Sequence, residues 1–271
     1  MFKDIEDSGL VLFGCGRMGS AILAGCLDAG LTPGAVWVRE PDPSGWLKDS
    51  GVRLTAGLPR RPAVVLVAVK PQIMTAALSE LKGLGNGGSL IVSVAAGTRI
   101  SVIEAALGAD TPVVRAMPNT PAAIGRGITA IIGNTKVSVR ELELAETLLS
   151  SVGQVIRLED EDQMDVVTAV SGSGPAYVFH LVEALAAAGV SQGLPADLAM
   201  TLARATVAGA GALVESSACT TPARMRENVT SPGGTTAAAL KVLMDERAGF
   251  PALLRCAVAA ATERSRELGN V

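Results

Sequence analysis

Short apolar runs alternate with stretches of helical period through the first half of the chain. The runs fall at residues 11–13, 35–39, 63–69, 90–94, 113–116, 128–133 and 155–158, and the helical stretches at 20–29, 73–82, 100–107 and 137–151. Most of the strand runs are continuously apolar rather than alternating, which is what a parallel sheet covered on both faces produces. Alternating strands and helices predict a doubly wound α/β domain, with ligands beyond the carboxyl ends of its strands. From Gln163 onward strand signals nearly vanish. Ala- and Leu-rich stretches at 176–188, 196–215, 235–243 and 252–268 are separated by Gly193-Leu194-Pro195, Thr221-Pro222 and Ser231-Pro232-Gly233-Gly234, which predicts an all-helical second domain. The acidic run Glu159-Asp160-Glu161-Asp162 marks the boundary, giving domains 1–160 and 161–271.

Composition changes this picture in one respect. Hydrophobic residues make up 49% of the 271 residues but aromatics only 3%, so the apolar mass is small side chains that let helices pack closely. Several second-half helices are apolar around most of their circumference, more than a monomer of this size can cover, and an intertwined dimer is expected. A net charge of −3 leaves no basic stripe for nucleic acid. The richest apolar stretch, 205–214, is too short for a bilayer and is flanked by Arg204 and Glu215, so it predicts a buried helix or subunit interface rather than a membrane segment. The acidic N-terminus enters the first strand at once and reads as neither signal nor transit peptide, which predicts a cytoplasmic protein. Cys15, Cys26, Cys219 and Cys256 are far apart and His180 is the single histidine, so no metal site or disulfide framework is supported, and buried thiols are expected.

The chemistry gathers at predicted strand ends. The first strand breaks into Gly14-x-Gly16-x-x-Gly19 and leads straight into a helix. Gly14 permits a tight turn, Gly16 a close approach of backbone to a pyrophosphate, and Gly19 packing of helix on strand, so this is a dinucleotide-binding loop. Small residues end two later strands, Ala68-Val69-Lys70-Pro71 and Ala95-Ala96-Gly97, leaving room for a flat nicotinamide. Lys70 and Asn119 are candidates for ribose, phosphate or carboxamide contacts. The second strand ends in both Arg39, which suits a 2′-phosphate, and Glu40, which suits free ribose hydroxyls, so NADPH and NADH both stay open. The turn 231–236 either opens a helix whose free N–H groups hold a carboxylate, or is a serine cap followed by proline. Ser171-Gly172-Ser173-Gly174-Pro175 has no His-Asp set to make a nucleophile and predicts a glycine-bearing kink.

Two segments, Asp165-Val-Val-Thr-Ala-Val-Ser-Gly-Ser-Gly-Pro-Ala-Tyr177 and Asn228-Val-Thr-Ser-Pro-Gly-Gly-Thr-Thr236, together with 68–71 and 117–121, closely resemble the pyrroline-5-carboxylate reductases. The resemblance runs almost end to end. It implies a Rossmann-like N-terminal domain, an all-α C-terminal dimerisation domain, and NADPH- or NADH-dependent reduction of 1-pyrroline-5-carboxylate to L-proline. It implies cofactor contacts from Phe13, Gly14, Cys15, Gly16, Arg17 and Met18, from Ala68, Val69, Lys70 and Pro71, and from Ala95 and Asn228; Gly19 and Arg39 join them from the loop and strand-end reading. Glu161, Ser231, Gly233, Gly234, Thr235 and Thr236 are the implied substrate contacts. A homodimer is implied, and a decamer allowed. The segment 56–62 departs from the family pattern, being short, with Leu58 where an asparagine is common.

An absence agrees with this. No lysine lies between Lys136 and Lys241, whereas a ketone-reducing enzyme must protonate a developing alkoxide and commonly uses lysine or histidine. A protonated cyclic imine needs only a hydride on carbon, and positioning can carry most of that. Thr236 is expected to hydrogen-bond the ring nitrogen and Glu161 to favour the cationic substrate. The competing readings are a 3-hydroxyacid or 6-phosphogluconate type dehydrogenase and a non-catalytic nucleotide-binding scaffold.

Overall fold

The computed structural model describes residues 2–54, 57–217 and 219–269. The chain forms two compact units, Met1–Gly172 with Ala261–Val271, and Ser173–Ala260. This division lies beyond the expected 160/161 boundary because the chain after the last strand stays on the sheet. Met164 and Ala169 are buried there, and a Cβ at Gly172 would sit 2.6 Å from Met117 Cε. The end of the chain returns as well, with Ser265 Oγ donating to Asp165 Oδ1 at 2.7 Å.

In the first unit, α1 (Lys3–Ser8), β1 (Leu10–Phe13), α2 (Arg17–Asp28), β2 (Val36–Arg39), α3 (Gly45–Asp49), β3 (Arg53–Leu54), β4 (Val64–Val67), α4 (Met74–Leu81), β5 (Leu90–Ser93) and α5 (Ile100–Leu107) follow one another. They are completed by β6 (Val113–Met117), β7 (Gly127–Gly133), α6 (Val139–Leu149), β8 (Gly153–Arg157) and α7 (Gln163–Val167). The strands make one sheet in the order β3-β2-β1-β4-β5-β6-β7-β8. Its first six strands are parallel and have the Rossmann order, with the switch point between β1 and β4. Alternate strand residues feed opposite faces: Leu10 and Leu12 pack with Ile22, Leu23 and Leu148, while Val11 and Phe13 pack with Leu78, Leu81 and Ile103. Burial on both sides is why the strand runs are unbroken. Helix α6 opens on a capping box, Ser138 Oγ accepting the Glu141 N–H and the Glu141 carboxylate accepting the Ser138 N–H.

The sheet departs from the all-parallel expectation at its far edge. β7 runs antiparallel to β6, and β8 parallel to β7. The 3₁₀ turn Thr120–Ile124 links β6 to β7 with no crossover helix, and a parallel pair cannot be joined so briefly. Asn119 Oδ1 accepts the Ile128 N–H at 2.9 Å, and Gly125 adopts a left-handed φ of 69° that re-aims the chain. At the other end of β7, Asn134 Oδ1 accepts the N–H groups of Val113 and Lys136, while its Nδ2 donates to Glu104 Oε1 and Thr111 O.

The second unit holds α8 (Gly174–Ser191), α9 (Ala196–Ser216), α10 (Pro222–Asn228), α11 (Thr235–Leu243) and the first part of α12 (Phe250–Gly269). The expected glycine kink is a π-helical turn, Thr168–Gly172, just before α8. Among the described residues only Ala186, Ala199 and Ala203 form a buried cluster here, while Phe179, Leu213 and Val242 are 62%, 65% and 70% exposed. α9 extends well past the 205–214 run and is long and apolar enough to cross a membrane by length and composition. The expectation of a buried helix is corrected: α9 presents its apolar surface outward in the single chain, and the subunit-interface reading remains.

Asn134→Ala removes four hydrogen bonds where α5, β6 and β7 meet. The expected loss is about 2–6 kcal/mol, each bond contributing about 0.5–1.5 net. Urea unfolding measures it, and an unchanged midpoint would mean that water replaces the amide.

Candidate active site

The carboxyl ends of β1 and β4 part at the switch point and open a cleft of about 660 Å³. Phe13, Gly14, Gly16, Arg39, Glu40, Ala68, Val69, Lys70 and Glu80 are among its lining residues. Backbone contact shapes the floor. Gly14 N–H donates to Arg39 O at 2.9 Å and Ala68 N–H to Phe13 O at 2.7 Å. Gly14 has φ +83°, and a Cβ on it would lie 2.7 Å from Ala68 O; a Cβ on Gly19 would land on the Gly14 carbonyl. Gly16 has nothing within 4 Å of its Cβ position, so this face of the loop is open to a ligand.

Gly16 is the N-cap of α2 and supplies no side-chain hydrogen bond, and no acidic residue occupies the first turn. The N–H groups of Arg17, Met18 and Gly19 therefore begin a helix without an intrahelical partner, a ready seat for anionic phosphates. A bound dinucleotide fits this cradle. Glu40 braces the loop from below: its Oε2 accepts the Cys15 N–H at 2.7 Å and its Oε1 the Asp42 N–H at 3.2 Å. Burial, and after it the Glu40 carboxylate, push the Cys15 thiol up to about 11. Cys26 is likewise pushed up to about 11 by burial. Cys219 and Cys256 are exposed, contrary to the expectation of four buried thiols.

Of the expected cofactor residues, Phe13, Gly14, Gly16, Arg39, Ala68, Val69 and Lys70 line the cleft. Cys15, Arg17, Met18 and Gly19 share the same loop and first turn, and Pro71 opens the 3₁₀ turn after Lys70. Ala95 is buried just past β5. Asn228 ends α10 in the second unit. Asn119 is 9% exposed, and its Oδ1 is engaged at the reversal into β7. Of the departing segment 56–62, Ala56 lies outside the described residues, and Leu58 packs on the sheet's second core layer.

Glu161 belongs to the first unit. Its Oε1 accepts from Arg115 Nη1 at 2.8 Å and from the Ile100 N–H at 2.9 Å, so it caps α5 across sixty-one positions of sequence. Arg115 and Glu161 are 5% and 19% exposed, a buried pair. This structural duty was hidden in the sequence, since nothing in an acidic run tells which carboxylate will meet a distant arginine. Arg99 and Asp162 form a second, exposed pair beside it.

In the second unit, Gly234 is the N-cap of α11, which begins at Thr235. Ser231 does not cap the helix through its side chain; its carbonyl accepts the Gly234 N–H at 3.0 Å. Gly233 holds φ +71°. The Thr235 and Thr236 N–H groups thus lead an uncapped helix start, and the serine-cap reading is set aside. Thr236 is half-buried, and its hydroxyl makes no hydrogen bond among the described residues. His180 stands exposed on α8 beside Glu183.

Residues 161–268 match the family described as pyrroline-5-carboxylate reductase dimerisation, and residues 10–97 match NADP oxidoreductase coenzyme F420-dependent. A pyrroline-5-carboxylate reductase from Pseudomonas aeruginosa is 40% identical over 267 residues, covering 96% of this chain and 97% of the relative. Among solved structures, a pyrroline-5-carboxylate reductase from Coxiella burnetii aligns with TM-score 0.88 at 35% identity, over 96% of this chain and 98% of that one. The Plasmodium falciparum pyrroline carboxylate reductase with NADP bound aligns with TM-score 0.84 at 29% identity, over 97% and 99%.

Gly19→Ala is expected to weaken dinucleotide binding at least about tenfold and to lower stability by about 1–3 kcal/mol, because the added methyl meets backbone rather than a yielding side chain. Fluorescence titration and urea unfolding report the two effects. With its thiol pushed up to about 11, Cys15 should react with iodoacetamide more slowly in the native protein at pH 8 than in the unfolded chain. Labelling at equal rates in the two states would contradict its half-buried setting.

Proposed function

Since the chain belongs to the pyrroline-5-carboxylate reductase family, NAD(P)H-dependent oxidoreductases that reduce a cyclic imine to proline, we propose how its residues divide that reaction. The observation that carries the proposal is the uncapped start of α2 opening onto the β1/β4 cleft. Backbone N–H groups at Arg17, Met18 and Gly19 hold the pyrophosphate, with Phe13, Gly14, Cys15 and Gly16 forming the bed beneath it. Arg39 meets the adenosine end. Ala68, Val69, Lys70, Pro71, Ala95 and Asn228 complete the cofactor contacts, the alanines by leaving space for a flat ring. When bound, the reduced nicotinamide supplies the hydride that the imine carbon accepts.

The substrate carboxylate is held by the Thr235 and Thr236 N–H groups, with Ser231, Gly233 and Gly234 shaping the turn that exposes them. The protonated ring nitrogen donates to Thr236 Oγ, and after reduction the same hydroxyl can donate to the neutral amine, since a hydroxyl serves both roles. Glu161 favours the cationic substrate through Oε2, the carboxylate oxygen not engaged by Arg115 and Ile100. No side chain needs to transfer a proton to carbon or to an alkoxide, so positioning supplies most of the acceleration.

The chain is a homo-oligomer, in keeping with the dimerisation family over 161–268 and with helices whose own buried cluster, among the described residues, is three alanines. The proposal extends to a dimer that can assemble further, to a decamer, acting in the cytoplasm with neither nucleic acid nor membrane as partner. Domains 1–160 for the nucleotide and 161–271 for substrate and dimerisation describe this division of labour.

Consumption of NADPH or NADH with 1-pyrroline-5-carboxylate, followed by absorbance, tests the reaction, with hydroxyacids as controls. Thr236→Ala should lower kcat/KM about ten- to a thousandfold, as for other single hydrogen-bonding groups; unchanged kinetics would remove Thr236 from the mechanism. Phe179→Glu should shift sedimentation toward smaller species, because a charge at a covered apolar face is costly.

A further inference from the structure

The strand-end acid that ordinarily reads the adenosine ribose is already committed in this chain. Both oxygens of Glu40 accept backbone N–H groups, from Cys15 and Asp42. The neighbouring Arg39 reaches instead across the cleft to α4, where its Nε donates to Glu80 Oε2 at 3.1 Å. These two side chains are 47% and 51% exposed, so the pair is open to a competing ligand. Glu80 also borders a second depression of about 490 Å³, lined by Leu58, Pro59, Arg60 and Arg61. Arg60 and Arg61 are exposed and form no ion pair among the described residues. Glu80 therefore borders both the cleft, where it holds Arg39, and the neighbouring depression lined by Arg60 and Arg61.

We propose that Glu80 is a specificity-determining residue, which restrains the preference for a 2′-phosphorylated nucleotide by competing with that phosphate for Arg39. The inference rests on the cleft being the dinucleotide site. A 2′-phosphate carries close to two negative charges and is best met by a guanidinium fork. In this chain it must share Arg39 with Glu80 or displace it, and the Glu80 charge repels it throughout. A ribose with free hydroxyls is spared this competition, since it donates hydrogen bonds and carboxylates accept them. Glu80 thereby narrows the gap between NADPH and NADH that Arg39, Arg60 and Arg61 would otherwise open.

Calorimetric titration of the intact protein with NADP⁺, NAD⁺, 2′,5′-ADP and 5′-AMP tests this without turnover. Glu80→Gln keeps the length and polarity of the side chain and removes its charge. It should tighten NADP⁺ and 2′,5′-ADP about three- to fivefold and leave NAD⁺ and 5′-AMP within about twofold, the scale of an exposed charge pair. Adding Arg39→Gln should abolish that gain. Equal shifts for both kinds of nucleotide, or unchanged NADP⁺ affinity in Glu80→Gln, would overturn the role of Glu80 while leaving the cleft as the nucleotide site. Failure of the unaltered protein to bind either dinucleotide would overturn the cleft reading and this inference together.

Discussion

Backbone laid against backbone is the constraint on which the nucleotide cleft depends. At Gly14 and Gly19 the loop, the first turn of α2 and the end of β4 come so close that a single methyl group has nowhere to go. That closeness brings the helix start to the sheet's switch point with its amide groups unspent. The ion pairs and strand-end side chains around it refine the fit, but the approach itself is made by atoms every residue possesses. Glycine is required there because of what it lacks.

The two units are stabilised by different means. The sheet unit is sealed on both faces by interleaved aliphatic layers, and its irregular edge is tied by Asn119, Asn134 and the Arg115–Glu161 pair. Buried pairs of that kind are strongly destabilising when one partner is removed, so Glu161 has a structural duty as well as a proposed chemical one. The helical unit has almost no core of its own, and its large apolar side chains face outward. Association with another copy stands in for an interior.

Much of this was legible in the sequence. Gly14, Gly16 and Gly19 between a strand run and a helical run announced the loop, and the loss of strand signals after 158 announced the helical half. What escaped has physical reasons. The two-residue β3 and the five-residue α3 are too short to leave a periodic signal. The reversal of β7 was invisible because an apolar run carries no arrow; direction is set by the length of the preceding connection and by Asn119 and Gly125. In sequence Glu40 and Glu161 offer themselves as ligand contacts, whereas each holds a distant backbone N–H, a partnership that only three dimensions disclose. Family resemblance supplied what no periodicity could, namely the identity of the substrate.

The last turns of α12 rejoin the sheet unit, where Ser265 meets Asp165. In effect the helical unit is spliced into a body that is interrupted at residue 172 and resumed at 261. During synthesis residues 261–271 can join that body only once the whole intervening insert has been made. The chain's last turns thus reach the sheet unit only after the segment through which copies of the chain associate has been translated.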